Sequence, residues 1–267
     1  MRIGDIDLHP VADGTFVAAP GYFGTHVGAD AHPELFDRDG TAWLPIGCFL
    51  VRSGDRVVLV DAGMGPQAED LPLGMRLLGG QLLTGLRALG VTTADITDVI
   101  CTHLHTDHVG WLFDLAGTPV FPRATIWFGA GDHAHFVDGS GHMVPHIRKG
   151  FLQHTSRLRP IDHNRAVAPG ITAQLTPGHT PGHLCVVVSS GQERALLLGD
   201  AVTCPVQLDE PTWHSLADVD TALADRTREL LWRELEQPGV VGVGAHFPEL
   251  RFGRLLRGNG RQWHITP

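Results

Sequence analysis

The chain of 267 residues carries 20 lysines and arginines against 29 aspartates and glutamates, for a formal net charge of −9, and is 43% hydrophobic and 18% charged. That balance gives a sizeable core and excludes a disordered chain. The scattered basic residues argue against nucleic acid or an anionic membrane as partner, since both reward clustered lysine and arginine. The N-terminal run Met1 to Asp7 is charged and lacks the apolar stretch of a secretory signal, and no apolar run is long enough to span a bilayer. A soluble, cytoplasmic protein is expected. Cys48, Cys101, Cys185 and Cys204 form no CxxC pair and read as buried thiols.

In chain order, Cys48 to Val51 and Val57 to Val60 flank a Gly54-Asp55 turn and predict a β-hairpin. The second run ends in Asp61-Ala62-Gly63. Leu71 to Leu89 is apolar and helix-capable, interrupted by Gly74, Gly79, Gly80 and Gly85. Asp98 to Thr102 predicts a buried strand, and Thr125 to Phe128 another. The stretch Gly129–Arg165, rich in His, Gly and Asp, reads as an irregular excursion that helps form a pocket. Its histidines, such as His133, His142 and His154, read as solvated. Ile171 to Leu175, Leu184 to Val188 and Ala195 to Leu198 predict successive strands. Asp218 to Glu236 has helical spacing of Val219, Leu223, Leu230, Leu231 and Leu235, and Val240 to Val243 predicts a last core strand. With no linker or composition break, the chain reads as one domain over 1–267, in two β-rich halves of roughly 1–165 and 166–267.

Histidine is the unusual component, at 17 residues. The segment Thr102-His103-Leu104-His105-Thr106-Asp107-His108-Val109-Gly110 leaves the predicted strand at Thr102. On an extended strand end His103 and His105 face one side, because side chains alternate. Asp107 and His108 follow where the chain turns, so they can face a neighbouring point. Imidazole and carboxylate suit zinc and similar divalent ions. Further candidates stand where apolar runs stop at small residues: Gly178-His179-Thr180-Pro181-Gly182-His183, Gly199-Asp200 and Ala245-His246.

The ordered series HxHxDH, GHTPGH, GD and a late strand-end histidine, preceded by VLVDAG, resembles the metallo-β-lactamase superfamily. The likeness runs from about Cys48 to His246. It implies an α/β fold, a four-layer αββα sandwich of two mixed β-sheets with helices on the outer faces. It also implies that His103, His105 and His179 hold one metal, that Asp107, His108 and His246 hold a second, and that Asp200 bridges them. Asp61 resembles the family's ligand-orienting acid, and His183 can orient or simply satisfy a turn. The implied cofactors are two divalent ions, most simply zinc, with manganese, cobalt or iron as alternatives. Two such ions share and activate a water, and the bridging hydroxide is the expected nucleophile. Asp107 would orient it and carry a proton to the leaving group.

The motif set is similar to the lactonase and methyl-parathion-hydrolase-like branch, which implies hydrolysis of a lactone, aryl ester or phosphotriester. The better-known homoserine lactonases carry a tyrosine soon after the bridging aspartate. This chain has Ala201-Val202-Thr203 there, and its one tyrosine is Tyr22. Thr203, Tyr22, Phe23 and Trp111 are the expected substrate contacts, Trp111 because it follows the ligand segment directly. The alternatives are a glyoxalase-II-like thioesterase, for which no basic patch is visible, and an iron-dependent oxygenase or redox module on the same fold. The expected partner is a small molecule, and a homodimer is left open.

Overall fold

The computed structural model describes residues 1–30, 32–256 and 262–266. The first sheet collects β1 (Arg2–Ile3), β2 (Ile6–Ala18), β3 (Ala42–Ser53), β4 (Arg56–Val60), β5 (Ala68–Asp70), β6 (Arg76–Leu78), β7 (Asp98–Ile100), β8 (Thr125–Gly129) and β9 (Leu158–Ile161). Their order is β5-β6-β2-β3-β4-β7-β8-β9, with β1 on β2. The second sheet runs in chain order through β10 (Arg165–Ala168), β11 (Ile171–Leu175), β12 (Leu184–Ser190), β13 (Glu193–Leu197), β14 (Val240–Val243), β15 (Gly253–Leu256) and β16 (Gln262–Ile265). The chain crosses between sheets in the few residues after Ile161.

The sandwich follows from side-chain alternation. In β4, Val58 and Val60 face the core shared with Leu184, Val186 and Leu196 of the other sheet, whereas Leu59 faces a second core with Leu82 and Leu86. Val99 and Ile100 of β7 divide in the same way. The outward core is covered by α1 (Leu82–Ala88), by α2 (Thr106–Val109), by the turn α3 (Ala130–Asp132) and by α4 (Pro145–Gln153), whose Ile147 and Phe151 are buried. Beyond the second sheet come α5 (Val206–Asp209) and α6 (Thr221–Leu235).

Two expectations change. Leu71 to Leu89 is not one helix: Pro72 begins a short turn, the chain reverses there, and β5 and β6 form a hairpin on the edge of β2 before α1 starts. The α6 stripe is shifted. Leu230 is 63% exposed and Val219 50%, while the buried face is Ala224, Thr227, Arg228, Leu231, Trp232 and Leu235. Arg228 belongs to that face because its guanidinium meets Asp218 and Asp225.

Each sheet contains a parallel junction that sets up the site. β4 lies parallel to β7, so Asp61 and the Cys101–His103 segment leave side by side. β13 lies parallel to β14, which does the same for Asp200 and His246. Ligands in α/β sheets gather outside carboxyl strand ends for this reason.

Candidate metal centre

The residues proposed as ligands meet at one edge of the sandwich. His103 Nε2 lies 2.9 Å from His105 Nδ1, which lies 3.2 Å from His179 Nε2. On the other side His246 Nε2 stands 3.4 Å from Asp107 Oδ2, and His108 Nε2 stands 3.7 Å from the same oxygen. Asp200 lies between these groups, with Oδ2 3.2 Å from His246 Nε2 and 3.8 Å from His179 Nε2, and Oδ1 3.5 Å from His108 Nε2. Ligand atoms of His103, His105 and His179 fall within 4.8 Å of one another, and so do those of Asp107, His108 and His246.

The surrounding atoms leave these nitrogens to a metal. The Pro45 carbonyl can only accept, so His246 Nδ1–H donates to it at 2.7 Å and Nε2 carries the lone pair. His179 Nδ1 meets Asp218 Oδ1 at 2.9 Å, and His108 Nδ1 meets Asp61 Oδ2 at 2.9 Å. Thr102 Oγ1 donates to Asp61 Oδ2 and so accepts from His103 Nδ1 at 3.1 Å. Asp61 therefore orients two ligands, one of them through a hydroxyl. His108 Nε2 and Asp200 Oδ1 are buried without a hydrogen-bond partner. An orphaned imidazole nitrogen beside an orphaned carboxylate oxygen is costly unless a cation joins them, so the donor set fits a pair of divalent ions.

Electrostatics agree. Burial, then the neighbouring His108, drives the His103 imidazole well below its ordinary value, and burial with His179 brings His105 down to about 3. Burial also works against a charged His108, but Asp107, Asp61 and Asp200 outweigh it and raise that group to about 9. His246 is raised by Asp200 and Asp107 against its burial. Both carboxylates stay low although burial opposes this, Asp107 through His108 and His246, Asp200 through His246 and His108. The carboxylates of Asp107, Asp61 and Asp200 thus draw positive charge toward these two imidazoles, where a divalent ion would supply it.

The frame around the ligands comes from loops that cross between elements. His183 donates through Nδ1 to Thr176 Oγ1, and its Nε2 accepts the backbone N–H groups of Asp200 at 3.1 Å and Ala201 at 3.2 Å. A Cβ on Gly199 (φ +53°) would sit 2.7 Å from that nitrogen, so the glycine lets the strand end pass beneath the ring. Asp132 binds the two ligand loops together, accepting from Leu104 N, Thr180 Oγ1 and Gly182 N. The sequence reading missed Asp218 and Asp132. Asp218 stands just before the Asp220 cap of α6, where an acid reads as a helix-start signal.

A cavity of about 160 Å³ opens over the centre. Its floor is His105, Asp107, Asp200 and His246, and its walls are Phe16, Tyr22, Leu71, Leu77 and Ala217. Glu69 and His142 stand at the cavity, 3.6 Å apart, so the Gly129–Arg165 excursion reaches it through His142, whose side chain is exposed, as read from the sequence. Tyr22 alone of the four expected substrate contacts lines it. Trp111 instead turns its indole N–H to Asp13 Oδ1 at 2.8 Å, because the buried Asp13 carboxylate gathers donors there from Met64, Gly65, Gly80 and Leu82. Thr203 is fully buried, its backbone N–H held by Gln207, and Phe23 packs behind Tyr22 against Trp213 and Phe36.

The sequence profile of the metallo-beta-lactamase superfamily matches residues 41–241. The chain belongs to that superfamily. An N-acyl homoserine lactonase of Bacillus thuringiensis is 27% identical over 168 residues, covering 58% of this chain and 62% of that enzyme. The chain thus spans less than two thirds of the length of that Bacillus thuringiensis enzyme. The N-acyl homoserine lactonase AiiB of Agrobacterium fabrum is 27% identical over 282 residues, covering 96% of this chain and 95% of its own. Among solved structures, AidC, a dizinc quorum-quenching lactonase in complex with its product, superposes with a TM-score of 0.87 at 23% identity, covering 100% of this chain and 96% of AidC. The two mixed sheets with outer helices are the metallo-β-lactamase fold.

Proposed function

We propose that the chain is a dinuclear-zinc hydrolase that opens lactones, N-acyl homoserine lactones foremost, with aryl esters and phosphotriesters as secondary substrates. The observation that carries this reading is the pair of convergent ligand groups joined by Asp200 beneath a cavity with apolar walls. The named relatives act on lactones of that kind, which adds support. His103, His105 and His179 would hold one ion, Asp107, His108 and His246 the other, and Asp200 both. When bound, two such ions polarise the substrate oxygen and lower the pKa of water.

The chain's own residues do the rest. Phe16, Leu71 and Leu77 seat an apolar acyl arm and exclude water from it. No lysine or arginine lines the cavity among the described residues, so a neutral substrate is favoured over a carboxylate or a glutathione thioester. Asp107, on the floor at the carboxyl side of the first ligand group, orients the attacking water and passes its proton to the alcohol released on ring opening. Among the described residues no helix is long and apolar enough to cross a membrane.

The test is turnover of a lactone, an aryl ester and a phosphotriester by zinc-loaded protein, with chelation and zinc restoration as control. Lactone turnover that disappears with zinc and returns with it is the expected result. Two bound metals without turnover on any class refute the reading, and stoichiometric iron with oxygen consumption replaces it with oxygen chemistry.

A further inference from the structure

We propose that Tyr22 is a catalytic residue whose phenolic O–H donates to the substrate carbonyl oxygen as negative charge develops on it. This rests on the hydrolase reading above. Tyr22 ends the short turn Pro20–Tyr22 and faces the same cavity as Asp107, Asp200 and His246. Its ring is gripped edge-on by Phe16 at 4.9 Å and by Phe23 at 5.1 Å, and Phe16 itself stands edge-on to His246 at 5.5 Å. The phenol is therefore fixed relative to a metal ligand.

The direction of its hydrogen bond decides what it can do. Ser215 Oγ lies 2.7 Å from the phenolic oxygen and already accepts the Ala217 N–H at 3.1 Å. Ser215 thus donates to Tyr22, and the phenol's own proton is left for a ligand in the cavity. Burial, followed by the Asp200 carboxylate, holds that proton well above the ordinary tyrosine range, so the group acts as a donor and not as a phenolate. The brace is tied to the metal centre. Ser215 N donates to Asp218 Oδ2 at 3.2 Å, and the other oxygen of Asp218 orients His179 at 2.9 Å. One turn, Ser215 to Asp218, positions both the phenol and a metal ligand.

The reaction balances without an external reagent. Water adds its oxygen to the acyl carbon, the ring C–O bond breaks, and the proton carried by Asp107 ends on the released alcohol. Tyr22 lends a hydrogen bond and keeps its proton. A preorganised donor at this place stabilises charge only as it forms, which raises kcat and leaves KM nearly unchanged.

The experiment combines Tyr22→Phe kinetics with a resonance of the intact zinc-loaded protein. Because Tyr22 is the only tyrosine, 3-fluorotyrosine labelling gives a single 19F signal. The expected loss in kcat is about 10-fold to 100-fold, smaller than for a sole oxyanion donor because a bound metal would also stabilise charge on that oxygen, with KM within about threefold. Addition of N-hexanoyl-L-homoserine should shift the 19F signal. Tyr22→Phe turnover within about twofold of wild type, or an unmoved signal with that ligand bound by calorimetry, overturns the role of Tyr22 and leaves the hydrolase reading intact. A wild type that opens no lactone overturns both.

Discussion

Replacing Asp218 by asparagine tests whether the centre depends on residues that never touch a metal. Asp218 Oδ1 faces His179 Nδ1 at 2.9 Å, and Oδ2 faces Arg228 at 3.3 Å and Ser215 N at 3.2 Å. All three are donors, and an amide offers one oxygen where the carboxylate offers two. If the amide oxygen keeps His179, its NH2 is pressed against the guanidinium of Arg228. If it keeps Arg228, the NH2 faces His179 Nδ1, which must then accept, so that Nε2 is protonated and cannot bind a metal. Either orientation weakens the group of His103, His105 and His179. Loss of such an orienting partner costs about 10-fold to 100-fold in metal affinity, or about 1.4–2.7 kcal/mol. Competition of the protein with a chromophoric zinc chelator reads the two affinities separately. Asp218→Asn should lower one of them, and Asp61→Asn, whose carboxylate serves His108 directly and His103 through Thr102, should lower both. Two affinities within about threefold of wild type in Asp218→Asn would refute the reasoning.

Three further outcomes are expected. In metal-free protein His108 is raised to about 9 against an ordinary imidazole near 6.5, so its stabilisation is complete below about pH 6.5 and lost as pH rises through 9, up to about 3 kcal/mol. Thermal melts from pH 6 to 10 should show that decline without metal and little of it with zinc, and a flat profile without metal contradicts it. Gly178→Ala places a Cβ 2.3 Å from Ala224 N at a φ of +138°, so denaturant melts should show a loss of about 2–5 kcal/mol together with weaker zinc binding. Cys48, Cys101, Cys185 and Cys204 are free and buried, with burial pushing Cys204 up to about 12, so a thiol reagent should label none of them before unfolding.

The candidate ligands read from the sequence all stand at the ends of apolar runs, four of them within six residues of each other. His103, His105, Asp107 and His108 announce themselves by that clustering, and β4, β7, β13 and β14 follow from their apolar runs. Two supporting acids, Asp218 and Asp132, do not. Asp218 lies 39 residues from His179, and Asp132 lies 28 residues from Leu104. Each is a lone aspartate beside a turn, chemically no different from a helix cap. Trp111 illustrates the opposite error, since nearness in sequence to His108 says nothing about where a long side chain points once Asp13 competes for its N–H. Arg228 misled the helix pattern because a paired guanidinium can occupy a buried stripe that apolar counting assigns to leucine. The apolar stretch after Leu71 misled it because hydrophobicity without a clear period does not distinguish a hairpin from a helix.

The division of ligands between the sheets has a consequence for biosynthesis. His103, His105, Asp107 and His108 follow β7 of the first sheet, whereas His179, Asp200 and His246 follow strands of the second. On the ligand assignment proposed above, a ribosome-bound chain that has released only its first sheet would present half of each coordination sphere to solvent, and both spheres would be complete only once the two sheets close on one another.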